Sequence, residues 1–227
     1  MPRIALIHAV MVAMEPIQAA FRELWPEAEC INILDDALSP DRARDNALSA
    51  AMTDRIGHLA NYALSASADG ILFTCSAFGP AIDAAGRRLG VPVLKPNEAM
   101  FEKALGHGSR IGMLATFAPS VATMTEEFEE QTKLTGKRAS LETILVPEAM
   151  TALKHGDVET HNRLLAARAA DLRDCNAVML AHFSTSRAKE AVAAVVTCPV
   201  LTSPDSAVET LKGHFPRPAP SAPAVNC

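Results

Sequence analysis

A cysteine and a histidine stand at matching positions of this chain, each directly after a short apolar run. Cys75 follows GILFT and His182 follows AVMLA, and the two residues are 107 positions apart. Histidine, with an unperturbed pKa of about 6.5, takes up or releases a proton readily near neutral pH. A cysteine does the same once its pKa of about 8.5 is lowered toward the working pH. These residue types could therefore exchange protons with a bound molecule.

Hydroxyl and small residues surround both positions. Thr74, Ser76 and Ala77 flank the cysteine, and Phe183 and Ser184 follow the histidine. Hydroxyl groups and backbone amides that precede a helix N-terminus can bind a carboxylate. We therefore predict that these two segments bind a small carboxylate.

Three pairs of segments repeat at the offset that separates Cys75 from His182. They are RIALI from Arg3 with RIGML from Arg110, DGILFTCSAF from Asp69 with NAVMLAHFST from Asn176, and VPVL from Val91 with CPVL from Cys198. A single match between apolar segments is weak, but three in one register indicate an internal duplication. The duplication makes Cys75 and His182 equivalent.

The remaining pattern alternates short apolar runs with longer alanine-rich stretches. The apolar runs predict strands that are buried on both faces, at Arg3–Ile7, Cys30–Leu34, Gly70–Thr74, Val91–Leu94, Arg110–Leu114, Leu141–Val146, Ala177–Ala181 and Pro199–Leu201. The alanine-rich stretches predict helices at Glu15–Leu24, Ala43–Ala66, Pro80–Leu89, Ser120–Lys133, Glu159–Leu172 and Ser186–Val195. Such alternation is typical of an α/β fold.

The duplication predicts two pseudo-symmetric halves, each a roughly four-stranded parallel sheet flanked by helices. We assign residues 1–94 and about 205–215 to the first half and residues 95–204 to the second. The Pro/Ala/Ser-rich segment 216–227 is predicted to be disordered. Because ligands bind beyond the carboxyl ends of parallel strands, we expect the active site in the cleft between the halves.

The segments DGILFTCSAFGPAID, GVPVL, RIGMLAT and AVMLAHFSTSRA resemble, in this order, the aspartate/glutamate/hydantoin racemase superfamily. The resemblance extends to about Leu211. It implies two α/β halves with the active site between them, and no metal or pyridoxal cofactor. Most racemases of the family use two cysteines, one of which takes the α-proton while the other returns a proton on the opposite face. The superfamily also includes arylmalonate decarboxylase, which has a single cysteine, and maleate isomerase.

Carried over by position, the first family cysteine corresponds to Cys75, and the second, in the usual LGCT pattern, to His182 in LAHF. Thr116 and Ser120 resemble the hydroxyl-bearing loop that holds the substrate carboxylate, or they cap the following helix. His8 ends the first strand at the position equivalent to Ala115. It faces the cleft, or it is satisfied by the backbone.

These features predict a cofactor-independent isomerase of the racemase or epimerase type, with Cys75 on one face of the α-carbon and His182 on the other. One alternative is a decarboxylase or isomerase that uses Cys75 alone. A second is a non-catalytic protein that binds a small carboxylate. No metal site is expected, because His155, Asp157 and His161 would spread over several helical faces.

Composition argues against several classes of partner and location. The net charge of −5 and the aromatic content of 4% argue against nucleic acid as a partner. No apolar run is long enough for a membrane span, and MPRIALIHAV lacks a signal-peptide pattern. Five cysteines without a CxxC motif favour a reducing compartment. We expect a cytoplasmic enzyme with a small carboxylate substrate; a homodimer is common among proteins of this kind.

Overall fold

Eight strands form two four-stranded sheets in the computed structural model, which describes residues 1–45 and 47–215. Their bounds are β1 Arg3–His8, β2 Glu29–Leu34, β3 Gly70–Phe73, β4 Val93–Leu94, β5 Arg110–Ala115, β6 Ser140–Leu145, β7 Ala177–Leu180 and β8 Val200–Thr202. The strand orders are β2–β1–β3–β4 and β6–β5–β7–β8, and every pair is parallel. The predicted architecture of two four-stranded parallel sheets is confirmed. The tail predicted to be disordered and Cys227 lie outside the described residues.

The two sheets repeat each other closely. β5 begins and ends at the repeat offset from β1, and β7 does so from β3. The backbone N–H of Arg3 donates to Asp69 Oδ2 at 2.8 Å, and that of Arg110 donates to Asn176 Oδ1 at 2.9 Å. The second strands leave this register, since β6 begins later in the chain than the same offset from the start of β2 would place it. The repeat is therefore in register for β1 with β5 and for β3 with β7, but not for β2 with β6.

Helices cover both faces of each sheet. Their bounds are α1 Met14–Leu24, α2 Leu38–Arg44, α3 Ala50–Ser65, α4 Gly79–Gly86, α5 Glu98–His107, α6 Ala118–Thr135, α7 Pro147–Lys154, α8 Val158–Ala169, α9 His182–Thr185, α10 Lys189–Ala193 and α11 Ser203–Gly213. Short 3-10 turns lie at Met11–Ala13, Ser76–Phe78, Ala170–Leu172 and Ser186–Ala188. None of the helices within residues 1–45 and 47–215 has both the length and the apolar character that crossing a membrane requires.

Four buried clusters show which helices cover which face. On the first sheet, α3 and α4 cover one face, and α1 and α11 cover the other. On the second sheet, α5 and α6 cover one face, and α7, α8 and α10 cover the other. The central strands carry apolar side chains on both faces. Burial of each face therefore stabilises the fold, by roughly 25 cal/mol per Å² of apolar surface.

The helix that follows the last strand of each sheet packs on the opposite sheet. α5 follows β4 of the first sheet but packs on the second, whereas α11 follows β8 of the second sheet but packs on the first. The two helices also meet each other. Ser203 Oγ donates to Asn97 Oδ1 at 2.9 Å, and Lys103 pairs with Glu209. This exchange of helices joins the two sheets.

The helix predictions need one correction. The stretch Ala43–Ala66 is not one helix, because α2 ends at Arg44 and α3 begins at Ala50. Ser49 starts the new helix by accepting a hydrogen bond from Met52 N, and alanine-rich sequence alone does not reveal such a cap. The sequence patterns also did not single out α5, α7 or α11.

Candidate functional site

Cys75 stands where β3 ends and the turn Ser76–Phe78 leads into α4. Its backbone is extended, with φ −129°, and its side chain packs partly against the core of the first half. Burial raises the pKa of the thiol above its ordinary value, and the charge of Glu127 acts in the same direction. The Ala77 backbone and the charge of Arg42 lower it by less. The thiol is therefore protonated at neutral pH.

His182 stands at the equivalent end of β7, as the first residue of α9. Its φ of 71° lies in the left-handed region, which among the described non-glycine residues it shares with Ser67 alone. Its Nε2 lies 2.8 Å from Ser120 Oγ. Burial lowers the pKa of the imidazole to about 4, so the ring is neutral at pH 7.

A cleft of about 680 Å³ is lined by residues next to both positions, although neither Cys75 nor His182 is itself among its lining residues. Ser76 and Ala77, from the turn after Cys75, line one side of it. Phe117 and Ser120, at the start of α6, line another side, together with the 95–98 segment that leads into α5. Since Ser120 contacts His182, the cleft lies between the Cys75 turn and the partner of His182.

Arg42 supplies a positive charge to this cleft. Its Nε donates to the Ala77 carbonyl oxygen at 3.3 Å, and its Nη1 donates to the Asp45 carbonyl oxygen at 2.7 Å. Within the described residues no carboxylate forms an ion pair with it. Lys95, by contrast, is paired with Asp83 at 3.1 Å and also lies near Glu98. Arg42 therefore has charge available for an anion beside Cys75.

Glu127 places a carboxylate in the same cleft. Asn97 Nδ2 donates to its Oε2 at 3.1 Å, and Asn97, only 4% exposed, is held in turn by Ser203. Burial raises the pKa of Glu127, although Asn97 and Lys95 act in the opposite direction. Neither Arg42 nor Glu127 is predicted from the sequence, because the packing of α2 and α6 brings them to the Cys75 turn and no residue spacing indicates it.

Four residues that the sequence predicts to bind the substrate are buried and do not line the cleft: His8, Thr74, Phe183 and Ser184. His8 is fully buried, with Nδ1 2.9 Å from Thr74 Oγ1 and Nε2 3.0 Å from Asn32 Oδ1, so these side chains satisfy each other. Burial also lowers the pKa of His8. Phe183 packs in the core between α1 and α11, and Ser184 is 6% exposed. The left-handed turn at His182 is a local feature that strand periodicity does not predict.

Thr116 follows β5 and is 2% exposed. Its hydroxyl has no hydrogen-bond partner within the described residues. A buried polar group without a partner is costly, and Thr116 is not among the residues that line the cleft. In the part of the chain that the structure describes, no three His, Cys, Asp or Glu side chains form a group that could hold a metal.

Comparisons with known proteins agree with this architecture. The family model described as Asp/Glu/Hydantoin racemase matches residues 8–211. No curated protein matches the chain. Among solved structures, an aspartate racemase homologue from Pyrococcus horikoshii has a TM-score of 0.70 at 16% identity, covering 94% of this chain and 99% of its own.

Two further solved structures are similar. An allantoin racemase from Klebsiella pneumoniae has a TM-score of 0.70 at 20% identity, covering 94% of this chain and 87% of its own. A glutamate racemase from Bacillus anthracis has a TM-score of 0.65 at 13% identity, covering 94% and 82%. At these identities the likeness establishes the fold.

Proposed function

We propose that this protein, which belongs to the Asp/Glu/hydantoin racemase family, transfers protons at the carbon next to a substrate carboxylate. Membership of the family supports a racemase-type isomerase. The observation that carries the finer proposal is the contrast between two equivalent positions whose neighbouring residues line one cleft. Burial keeps Cys75 as a thiol and His182 as a neutral imidazole, so one is ready to donate a proton and the other to accept one.

In the proposed reaction, His182 removes the α-proton from one face of the substrate. The resulting carbanion receives a proton from the Cys75 thiol on the opposite face, which inverts the configuration. The C–H bond that breaks leaves its electron pair on carbon, and that pair forms the new C–H bond. The enzyme is left as imidazolium and thiolate, and it returns to its starting form by proton exchange with solvent or by catalysing the reverse reaction.

Binding of the carboxylate must lower the cost of the carbanion, because an imidazole whose pKa is about 4 is a weak base. Arg42 offers a charge without an ion-pair partner among the described residues, and Thr116 offers a hydroxyl without a hydrogen-bond partner. Donors fixed before the reaction stabilise developing charge more effectively than water does. We assign carboxylate binding to these two residues, together with Ser76 and Ala77. The proposed steps use no cofactor.

The test is incubation of the full chain with amino acids, hydantoins and 2-substituted carboxylic acids in deuterated water. One class should gain α-deuterium and invert, and Cys75→Ser should abolish the inversion. Cys198→Ser, which alters a free cysteine at the opposite end of the second sheet, should leave it unchanged. Absence of α-deuterium from every compound would contradict the proposal. If a malonate-type acid instead lost carbon dioxide, the reaction would be a decarboxylation by Cys75 alone.

A further inference from the structure

We propose that Ser120 is a positioning residue that fixes the tautomer of His182, so that Nε2 carries the ring proton and Nδ1 accepts the substrate proton. The inference rests on the proposed role of His182 and makes it specific to one atom. It also changes the role of Ser120, which the sequence predicted as a residue that binds the substrate carboxylate.

The hydrogen bonds of the Ser120 hydroxyl carry the argument. Its Oγ lies 2.7 Å from the carbonyl oxygen of Phe117 and 2.8 Å from Nε2 of His182. A hydroxyl has one hydrogen to donate, and a carbonyl oxygen only accepts. The hydrogen must therefore point to Phe117, and a lone pair of Oγ must accept from Nε2–H. The opposite arrangement would leave two oxygen acceptors in close contact with no hydrogen between them.

The assignment at Nε2 determines the state of Nδ1. A neutral imidazole carries one ring hydrogen, so a protonated Nε2 leaves the lone pair on Nδ1. No hydrogen bond within the described residues involves Nδ1 of His182, and Nδ1 is not among the buried polar atoms that lack a partner. Within the described residues its lone pair is therefore not engaged in a hydrogen bond and can accept a proton.

The first half has no counterpart of the hydrogen bond between Ser120 and His182. The repeat that makes His182 equivalent to Cys75 also makes Ser120 equivalent to Ala13. A buried alanine has no group that could orient a neighbour, and a thiol has no tautomer to select. The hydroxyl thus accompanies the imidazole in one half, and both are absent from the equivalent positions of the other.

The backbone of His182 adds to the positioning. A left-handed φ is uncommon outside glycine, and it costs energy unless the surroundings hold it. Thr185 Oγ1 lies within hydrogen-bond distance of the carbonyl oxygens of both Ala181 and His182 and can donate to one of them, so α9 holds this backbone turn while Ser120 holds the ring. With both ends held, Nδ1 has a defined direction.

Nitrogen-15 NMR of the histidine-labelled full chain tests the tautomer without any substrate. The chain has seven histidines, and the spectrum of His182→Asn identifies the signals of His182. We expect a protonated Nε2 and an unprotonated Nδ1 in the unaltered protein and in Ser120→Thr. In Ser120→Ala, Nε2–H should exchange faster with water, and the second tautomer should become detectable. A proton on Nδ1 in the unaltered protein would overturn the inference.

Kinetics distinguish positioning from substrate binding. Ser120→Ala should lower kcat about tenfold with KM within about twofold, whereas loss of a carboxylate contact would raise KM. Ser120→Thr should restore kcat. Thr125→Ala, which removes a hydroxyl bonded to Val121 in the same helix, is the control for helix stability and should change neither constant. A Ser120→Ala effect confined to KM would overturn the inference.

The two readouts separate this inference from the proposed function. If the protein exchanges no α-proton but Nε2 carries the ring hydrogen and depends on Ser120, the proposed function fails and the positioning stands. If α-exchange occurs while Nδ1 carries the ring hydrogen, the positioning alone fails.

Discussion

The two halves of this molecule share a scaffold but differ in the residue at the equivalent strand end. β1 and β5 have identical lengths, as do β3 and β7. In each half, the first backbone N–H of the first of these strands donates to the side chain just before the second. Yet the second residue after β3 is Cys75 with φ −129°, and the second residue after β7 is His182 with φ 71°. The duplicated sheet preserves a position while the chemistry at that position diverges.

The divergence extends to the surroundings. Cys75 is adjoined by the Ala77 backbone, Arg42 and Glu127, all of which act on its pKa. For His182 burial causes the pKa shift, and its ring contacts the Ser120 hydroxyl. We therefore expect the first half to respond to changes of charge and the second to changes of hydrogen bonding.

Removal of the Cys75 thiol, from the first half, should have the largest effect of the changes that distinguish the two halves. Cys75→Ala should lower the rate of racemisation about a thousandfold, because a positioned acid or base contributes roughly 10²–10⁴ to the rate. Chiral chromatography of the product measures it. Cys198→Ser serves as the control, and racemisation by Cys75→Ala within about tenfold of the unaltered rate would show that the thiol is not the acid.

Acidification should destabilise the folded protein through His182, which lies in the second half. The unfolded chain binds a proton at His182 below about pH 6.5, whereas the folded chain does so only near pH 4. The free energy of unfolding should therefore fall as the pH falls through this window, by about 3 kcal/mol from His182. Denaturant titrations of the unaltered protein and of His182→Gln measure the difference.

The control for acidification is His58→Gln, which alters an exposed histidine. Buried His8 and His161 add their own acid sensitivity, because burial lowers the pKa of each, and this part should persist in both variants. Equal pH dependence in His182→Gln and the unaltered protein would show that His182 is not held neutral by the fold.

Loss of the positive charge beside Cys75 should have an intermediate effect. Arg42→Gln should raise KM about tenfold, since a hydrogen bond to a charged group contributes roughly 1.5–3 kcal/mol. It should also raise the pKa of the thiol further, because Arg42 lowers it. Arg44→Gln, an exposed residue of the same helix paired with Asp41, is the matched control. An unchanged KM in Arg42→Gln would remove Arg42 from carboxylate binding.

The smallest effect is expected from Glu127→Gln. Removing this negative charge should lower the pKa of Cys75, because Glu127 raises it. The rate at which an alkylating reagent modifies Cys75 should rise a few-fold at neutral pH, since the thiolate is the reactive form. Glu129→Gln, an exposed residue of the same helix, should leave the rate unchanged. A slower reaction in Glu127→Gln would contradict the charge effect.

The sequence predicts the sheets well because their strands are buried on both faces, which leaves continuous apolar runs such as RIALI and RIGML. It predicts helices less well where a cap decides, as at Ser49. At the candidate site, the repeat identifies the positions of Cys75 and His182 as equivalent. It cannot place Arg42 or Glu127, whose proximity to Cys75 depends on how separate helices pack.

The most direct test of two-sided proton transfer follows each enantiomer of the substrate separately in deuterated water, in Cys75→Ser and in His182→Asn. Asparagine suits the left-handed backbone of position 182. With one group removed, the other should exchange the α-proton of only one enantiomer, without inversion, and the two variants should select opposite enantiomers. Exchange of the same enantiomer by both variants would contradict proton transfer on opposite faces.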